Sequence, residues 1–184
     1  MLVFDVGVRV GGVFLFGCEC LCSAGVMERV KVFSGLRMVW RFGDLSEPIV
    51  TKLKLVKGYE FNVEFDVEGM PSLIVDETKP AGENLGPNPT RLLSAAVGHC
   101  LSSSLLYCLS RAKIQAKGME TTVKTNIVRN EEGRLRVQSI DVQIRLDVPE
   151  QDKPRVGRCL EIFENYCTVT SSVRKGIDVK VNIV

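Results

Sequence analysis

Apolar and polar positions alternate through residues 59–67: Phe61, Val63, Phe65 and Val67 fall on one face, Asn62, Glu64 and Asp66 on the other. A period of two predicts a half-buried antiparallel strand. Runs at 50–57 and 72–76 carry similar patterns, and Lys57-Gly58 and Glu68-Gly69 supply turn residues between them. Two shorter β-like stretches precede these at about 28–33 and 36–42.

The pattern changes after residue 82. A loop built from Gly82, Gly86, Pro87 and Pro89 leads into a stretch from Leu92 to Leu109 without a charged residue. Asn88 followed by Pro89 is a helix start, an Asn cap and then a proline at the first helical position. The predicted helix runs to about residue 115 and ends near Gly118. Being apolar or small on every side, it is expected to be wrapped by other elements.

Residues 119–130 and 134–148 read as a long antiparallel hairpin turning at Glu131-Glu132-Gly133. Val142, Ile144, Leu146 and Val148 mark its inner face. Pro149 stops the second strand. Asp152 and Pro154 then open a helix to about Cys167, with Val156, Leu160 and Phe163 at helical spacing. Residues 168–175 form a short irregular or helical piece, and 177–184 alternate as a final strand. The order of meander, helix, hairpin, helix and strand predicts an α+β domain.

With 184 residues, the chain can bury a core as one domain. Its net charge of +2 is carried by scattered basic residues, which gives no electrostatic case for nucleic acid. No apolar run is read as reaching the roughly 18–20 residues that span a bilayer, so no membrane partner is expected. Residues 1–26 lack the basic start of a secretory signal, since Asp5 precedes Arg9. They read as an edge-strand extension or as residues upstream of an initiator at Met27. Residues 1–45 are therefore set apart as an N-terminal extension from a domain at 46–184.

Candidate chemistry rests on seven cysteines: Cys18, Cys20, Cys22, Cys100, Cys108, Cys159 and Cys167. Three crowd into the extension and four fall on predicted helices. That is no secreted disulfide framework, and it points to a cytoplasmic setting. The first three share one face of an extended chain, but no fourth metal ligand is evident. Cys100 and Cys108 lie eight residues apart on one helix, about 12 Å along its axis, too far to bridge. Cys159 and Cys167 fail for the same reason. Any disulfide among the four must join the two helices, which leaves four pairings, with Cys167 favoured over Cys159 for its place at a helix end. Cys108 and Cys159 read as core residues. His99 neighbours Cys100 but points about 100° away on the helix, so it reads as a packing or hydrogen-bonding residue. Ser102–Ser104 can bond back to helix carbonyls.

The segments AGENLGPNPTRLLSAAVGHC (81–100) and ENYCTVTSSVRKG (164–176) resemble the OsmC/Ohr family of osmotically induced and organic-hydroperoxide-resistance proteins, its OsmC-like branch above all. The resemblance covers roughly residues 50–184. It implies an intertwined homodimer, with curved antiparallel sheets around two central helices. It also implies a thiol peroxidase acting on organic hydroperoxides, without metal or organic cofactor, recharged by an external dithiol reductant. Carried over, Cys100 is the peroxidatic cysteine and Cys167 the resolving one. The alternative is a redox-inactive dimer of the same fold that binds an apolar small molecule. Two features favour that alternative, Thr90 and an activating cation that the sequence does not place. Where the family has a carboxylate that helps hold an activating arginine, this chain has Thr90, with Arg91 beside it and Glu83 in the preceding loop. The activating cation itself is expected from Arg37, Arg41 or Lys57.

Overall fold

The structure is a computed structural model that describes residues 47–183 and the backbone of Val8–Val10. The expected stretches at 28–33 and 36–42, together with Arg37, Arg41 and Cys18, Cys20 and Cys22, lie outside the described residues. Two antiparallel sheets of three strands each form the frame. In the first, β1 (Val8–Val10) pairs with β6 (Leu135–Asp147), and β6 with β5 (Gly118–Arg129). In the second, β2 (Thr51–Lys57), β3 (Glu60–Phe65) and β4 (Leu73–Val75) lie in chain order. Three helices follow from the remaining sequence: α1 (Pro89–Arg111), α2 (Lys153–Ile162) and α3 (Thr168–Lys175). A 3-10 turn over Phe163–Tyr166 connects α2 to α3. The α+β expectation stands, and the pairing of Val8–Val10 with β6 matches the edge-strand reading of the extension.

Local chemistry sets the boundaries. Asn88 caps α1, its Oδ1 accepting the Arg91 amide at 3.0 Å, and Pro89 takes the first turn where no amide partner is required. The loop before the helix is organised by Asp76. This buried carboxylate accepts from the amides of Glu77, Glu83 and Leu85 at 2.7, 2.8 and 3.2 Å. Gly86 lies so close to β4 that a Cβ would overlap the Ile74 carbonyl.

The core forms where α1 crosses the first sheet. Val97, Leu101, Leu105 and Leu109 of α1 meet Ile140, Val142, Ile144 and Leu146 of β6, and Val156 and Phe163 close the far side. On its β5 side, α1 presents Ser94, Gly98 and Ser102, one helical turn apart. Ser94 and Ser102 exchange hydrogen bonds with Thr125 and Thr121, each at 2.6 Å, and Gly98 fits against Val123. Small residues here let the helix approach the strand closely.

Three expectations need correction. α1 is not wrapped all round: Ala95, Ala96, His99, Leu106 and Tyr107 are exposed, because the chain's own sheet covers only one side. Residues 177–183 form no strand, since among the described residues no neighbouring strand takes up their backbone bonds, and Ile177, Val179, Val181 and Ile183 are exposed. β3 is less buried than its alternation promised. Val63 is buried, but Phe65 is exposed, and on β2 Leu53 and Leu55 stand 59% and 62% exposed. The second sheet packs mainly within itself.

Candidate functional site

The site forms where α1 passes the start of α3. Cys100 lies midway along α1, partly buried against the core, and Cys167 is fully buried at the N-cap of α3. Both are free thiols, near enough for Cys167 to raise the Cys100 thiol. The two residues singled out in the sequence are thus brought together from elements distant in the chain.

Cys167 takes the capping place that Ser, Thr or Asn usually holds. Its sulfur accepts the Thr170 amide at 3.4 Å and donates to the Thr170 hydroxyl at 2.9 Å. Thr170, with no exposed surface, holds the Cys167 sulfur through both of these bonds. The backbone amides of Val169 and Thr170 also draw the Cys100 thiol down, so the first turn of α3 favours negative charge at that sulfur. Sequence reading passed over Thr170. Its signal was a small hydroxyl residue three positions after a cysteine at a helix start.

Opposing influences set the acidity of Cys100. Burial pushes the thiol up, the hydrogen bond to Cys167 pushes in the same direction, and the Val169 and Thr170 amides pull it back. The balance lies above the usual thiol range. Lys57, one of three candidate cations, instead lines a shallow surface hollow with Tyr59, Glu60, Asp76 and Glu83. Glu83 pairs with Lys79 at 3.3 Å, well exposed. Thr90 serves the helix through its carbonyl, which accepts the Ser94 hydroxyl at 2.7 Å. His99 is exposed, with Nε2 3.4 Å from the Ser103 hydroxyl. Ser102 bonds back to the Gly98 carbonyl at 2.8 Å. Among the described residues, no group of three or more His, Cys, Asp or Glu side chains is placed to hold a metal ion.

The reading of Cys108 and Cys159 as simple core residues is incomplete. Both are buried, and they form a disulfide between α1 and α2 with their Cα atoms 5.6 Å apart. Of the four pairings open to the helices, the structure therefore brings together Cys100 with Cys167 and Cys108 with Cys159. The expectation about apolar runs is corrected too. α1 has 23 residues and is long and apolar enough to cross a membrane by length and composition. Here one face of it is buried on the sheet and hydrogen-bonded to β5.

A family model described as OsmC-like protein matches residues 82–182. No curated protein sequence matches the chain. Among solved structures, an organic hydroperoxide resistance protein from Elizabethkingia anophelis is similar at 23% identity and a TM-score of 0.54, over 75% of this chain and 96% of that one. An OsmC-like protein from Mycoplasma pneumoniae is similar at 11% identity and a TM-score of 0.58, over 71% and 89% of the respective chains. The organic hydroperoxide resistance protein OsmC from Legionella pneumophila is similar at 18% identity and a TM-score of 0.53, over 73% and 94%.

Proposed function

The chain belongs to the family of OsmC-like proteins, and from that premise we propose that it is a two-cysteine peroxidase of organic hydroperoxides. The observation that carries this reading is the proximity of two free thiols, Cys100 and Cys167, where α1 passes the start of α3. A dithiol so placed can complete a redox cycle without a metal or organic cofactor.

Cys100, as thiolate, attacks the distal oxygen of the hydroperoxide. The O–O bond breaks, the alkoxide takes a proton and leaves as the alcohol, and Cys100 becomes a sulfenic acid. Cys167 then condenses with it. An S–S bond forms, and the sulfenic hydroxyl departs with the Cys167 proton as water. An external dithiol reduces the disulfide by exchange and is itself oxidised. The resting thiol is the obstacle, because its burial favours the neutral form. The Val169 and Thr170 amides offset part of that cost, and a cation, Arg37, Arg41 or Lys57, completes the activation.

The protein works as a homodimer in this reading. The uncovered apolar side chains of α1 (Leu106 and Tyr107), the second sheet and residues 177–183 support a second copy as their cover. A cytoplasmic setting, where dithiol reductants are maintained, suits the cycle.

The raised Cys100 thiol and Thr90 at the carboxylate position favour one second reading, a redox-inactive dimer that binds an apolar small molecule. Steady-state consumption of cumene hydroperoxide with a dithiol reductant separates the two. Turnover lost in Cys100→Ser supports the peroxidase, and no turnover in wild type supports the alternative.

A further inference from the structure

The four described cysteines form two rungs between the same two stretches of chain. Cys100 and Cys108 are eight residues apart on α1, and Cys159 and Cys167 are eight apart on the segment that runs back along it. Only the end of α2 and one 3-10 turn separate Cys159 from Cys167. We propose that the Cys108–Cys159 pair is a positioning disulfide for the outer thiols and never meets substrate. In its disulfide form it pins α2 to α1 and thereby holds Cys167 within reach of Cys100.

Burial and distance divide the labour between the rungs. Cys108 and Cys159 are only 9% and 3% exposed, within the core beside Val156 and Phe163, where a hydroperoxide has no approach. About 12 Å of helix separates the rungs, so neither thiol of one can attack a sulfur of the other without unfolding. The dithiol that reduces Cys100–Cys167 is equally shut out of the inner rung. This disulfide is therefore set during folding, by exchange with a small-molecule disulfide: the protein's two thiols are oxidised to one S–S bond, and the small disulfide is reduced to two thiols. It then persists through the catalytic cycle.

The mechanical consequence follows from the chain path. Cys167 must stay near Cys100 for the outer bond to close, and it sits where the one-turn 3-10 connection meets α3. The inner rung removes most of that freedom. It thereby raises the effective concentration of one thiol at the other. Cys108 and Cys159 act here as positioning residues.

The idea deepens the peroxidase reading, yet its test needs no peroxide. The full chain would be equilibrated in mixtures of oxidised and reduced glutathione, and the Cys100–Cys167 disulfide counted by alkylation and peptide mass. The comparison is wild type against Cys108→Ala/Cys159→Ala, with Cys159→Ser alone as a near-isosteric second variant should the double variant fail to fold. Ile144→Ala, a core truncation on β6 that leaves the inner rung intact, controls for lost stability. The equilibrium constant for the outer disulfide is expected to fall at least ten-fold without the inner rung and to stay within two-fold in Ile144→Ala. A constant within two-fold of wild type in the folded rung variant, or an equal fall in Ile144→Ala, overturns the proposal. Failure of the peroxidase reading would look different, as a wild type that forms the outer disulfide in glutathione but not with hydroperoxide.

Discussion

The Cys167 thiol donates to the Thr170 hydroxyl across 2.9 Å, and Thr170 returns its own amide to the same sulfur. One buried threonine thus fixes both the rotamer of the second thiol and the first turn of α3. Thr170→Val keeps the shape and removes the hydroxyl. We expect a loss of about 1 kcal/mol of stability, measured by denaturant unfolding. The Cys100 sulfenic acid, followed with a dimedone-type trap, should live several-fold longer. Thr170→Ser should restore both, and a valine variant with wild-type condensation would leave the hydroxyl without a role.

Cys167 also raises the Cys100 thiol, second only to burial, so its removal should make Cys100 more acidic. The pH profile of Cys100 alkylation by iodoacetamide should have its midpoint above the ordinary thiol range in wild type. In Cys167→Ala that midpoint should move down, with faster alkylation at pH 8. An upward movement would mean that the Cys167 sulfur stabilises the thiolate instead.

Gly98 allows α1 to lie against β5. A Cβ there would stand 2.6 Å from Val123 Cγ2, on a side chain that is stiff at χ1. Gly98→Ala should cost about 1–3 kcal/mol through overpacking, despite the better helix propensity of alanine. Val123→Ala in the same chain should return part of it. Additive losses in the double-mutant cycle would place the strain elsewhere.

Asp76 gives the loop before α1 a dependence on acid. Burial works to raise its carboxyl, but the amides of Glu83, Leu85, Glu77 and Asn84 together hold it below the usual carboxylate range. A depressed folded pKa contributes stability above the unfolded value of about 3.9 and loses it as pH falls through the folded one. Proteolysis within the loop at 81–88 by an acid-tolerant protease, relative to an unstructured control peptide, should stay slow at pH 5 and rise below pH 4. In Asp76→Ala it should be fast at both, and a flat profile in wild type would contradict the assignment.

Much of this was readable in the sequence because it is local. Asn88-Pro89 announced the helix start, the alternation at Val142, Ile144 and Leu146 announced the buried face of β6, and both follow from neighbours a few residues apart. Ser94, Gly98 and Ser102, small residues at one-turn intervals, also mark a close-packed face. The inner disulfide was legible in the matched spacing of Cys100 and Cys108 against Cys159 and Cys167. An antiparallel return that joins the outer pair must also bring the inner pair together, which weighing each pairing separately conceals. Other features had no local signal. Alternation at 177–183 specifies two faces and says nothing about which strand accepts the backbone bonds. The Thr170 contact depends on a rotamer that only the packed core selects.

The central claim is that Cys100 and Cys167 form one redox couple, and mass spectrometry after one equivalent of cumene hydroperoxide tests it most directly. Wild type should lose two hydrogens and yield a Cys100–Cys167 linked peptide, while Cys167→Ser should hold a sulfenic acid at Cys100. A Cys100 that remains a thiol under conditions that oxidise a control thiol peptide would contradict the account.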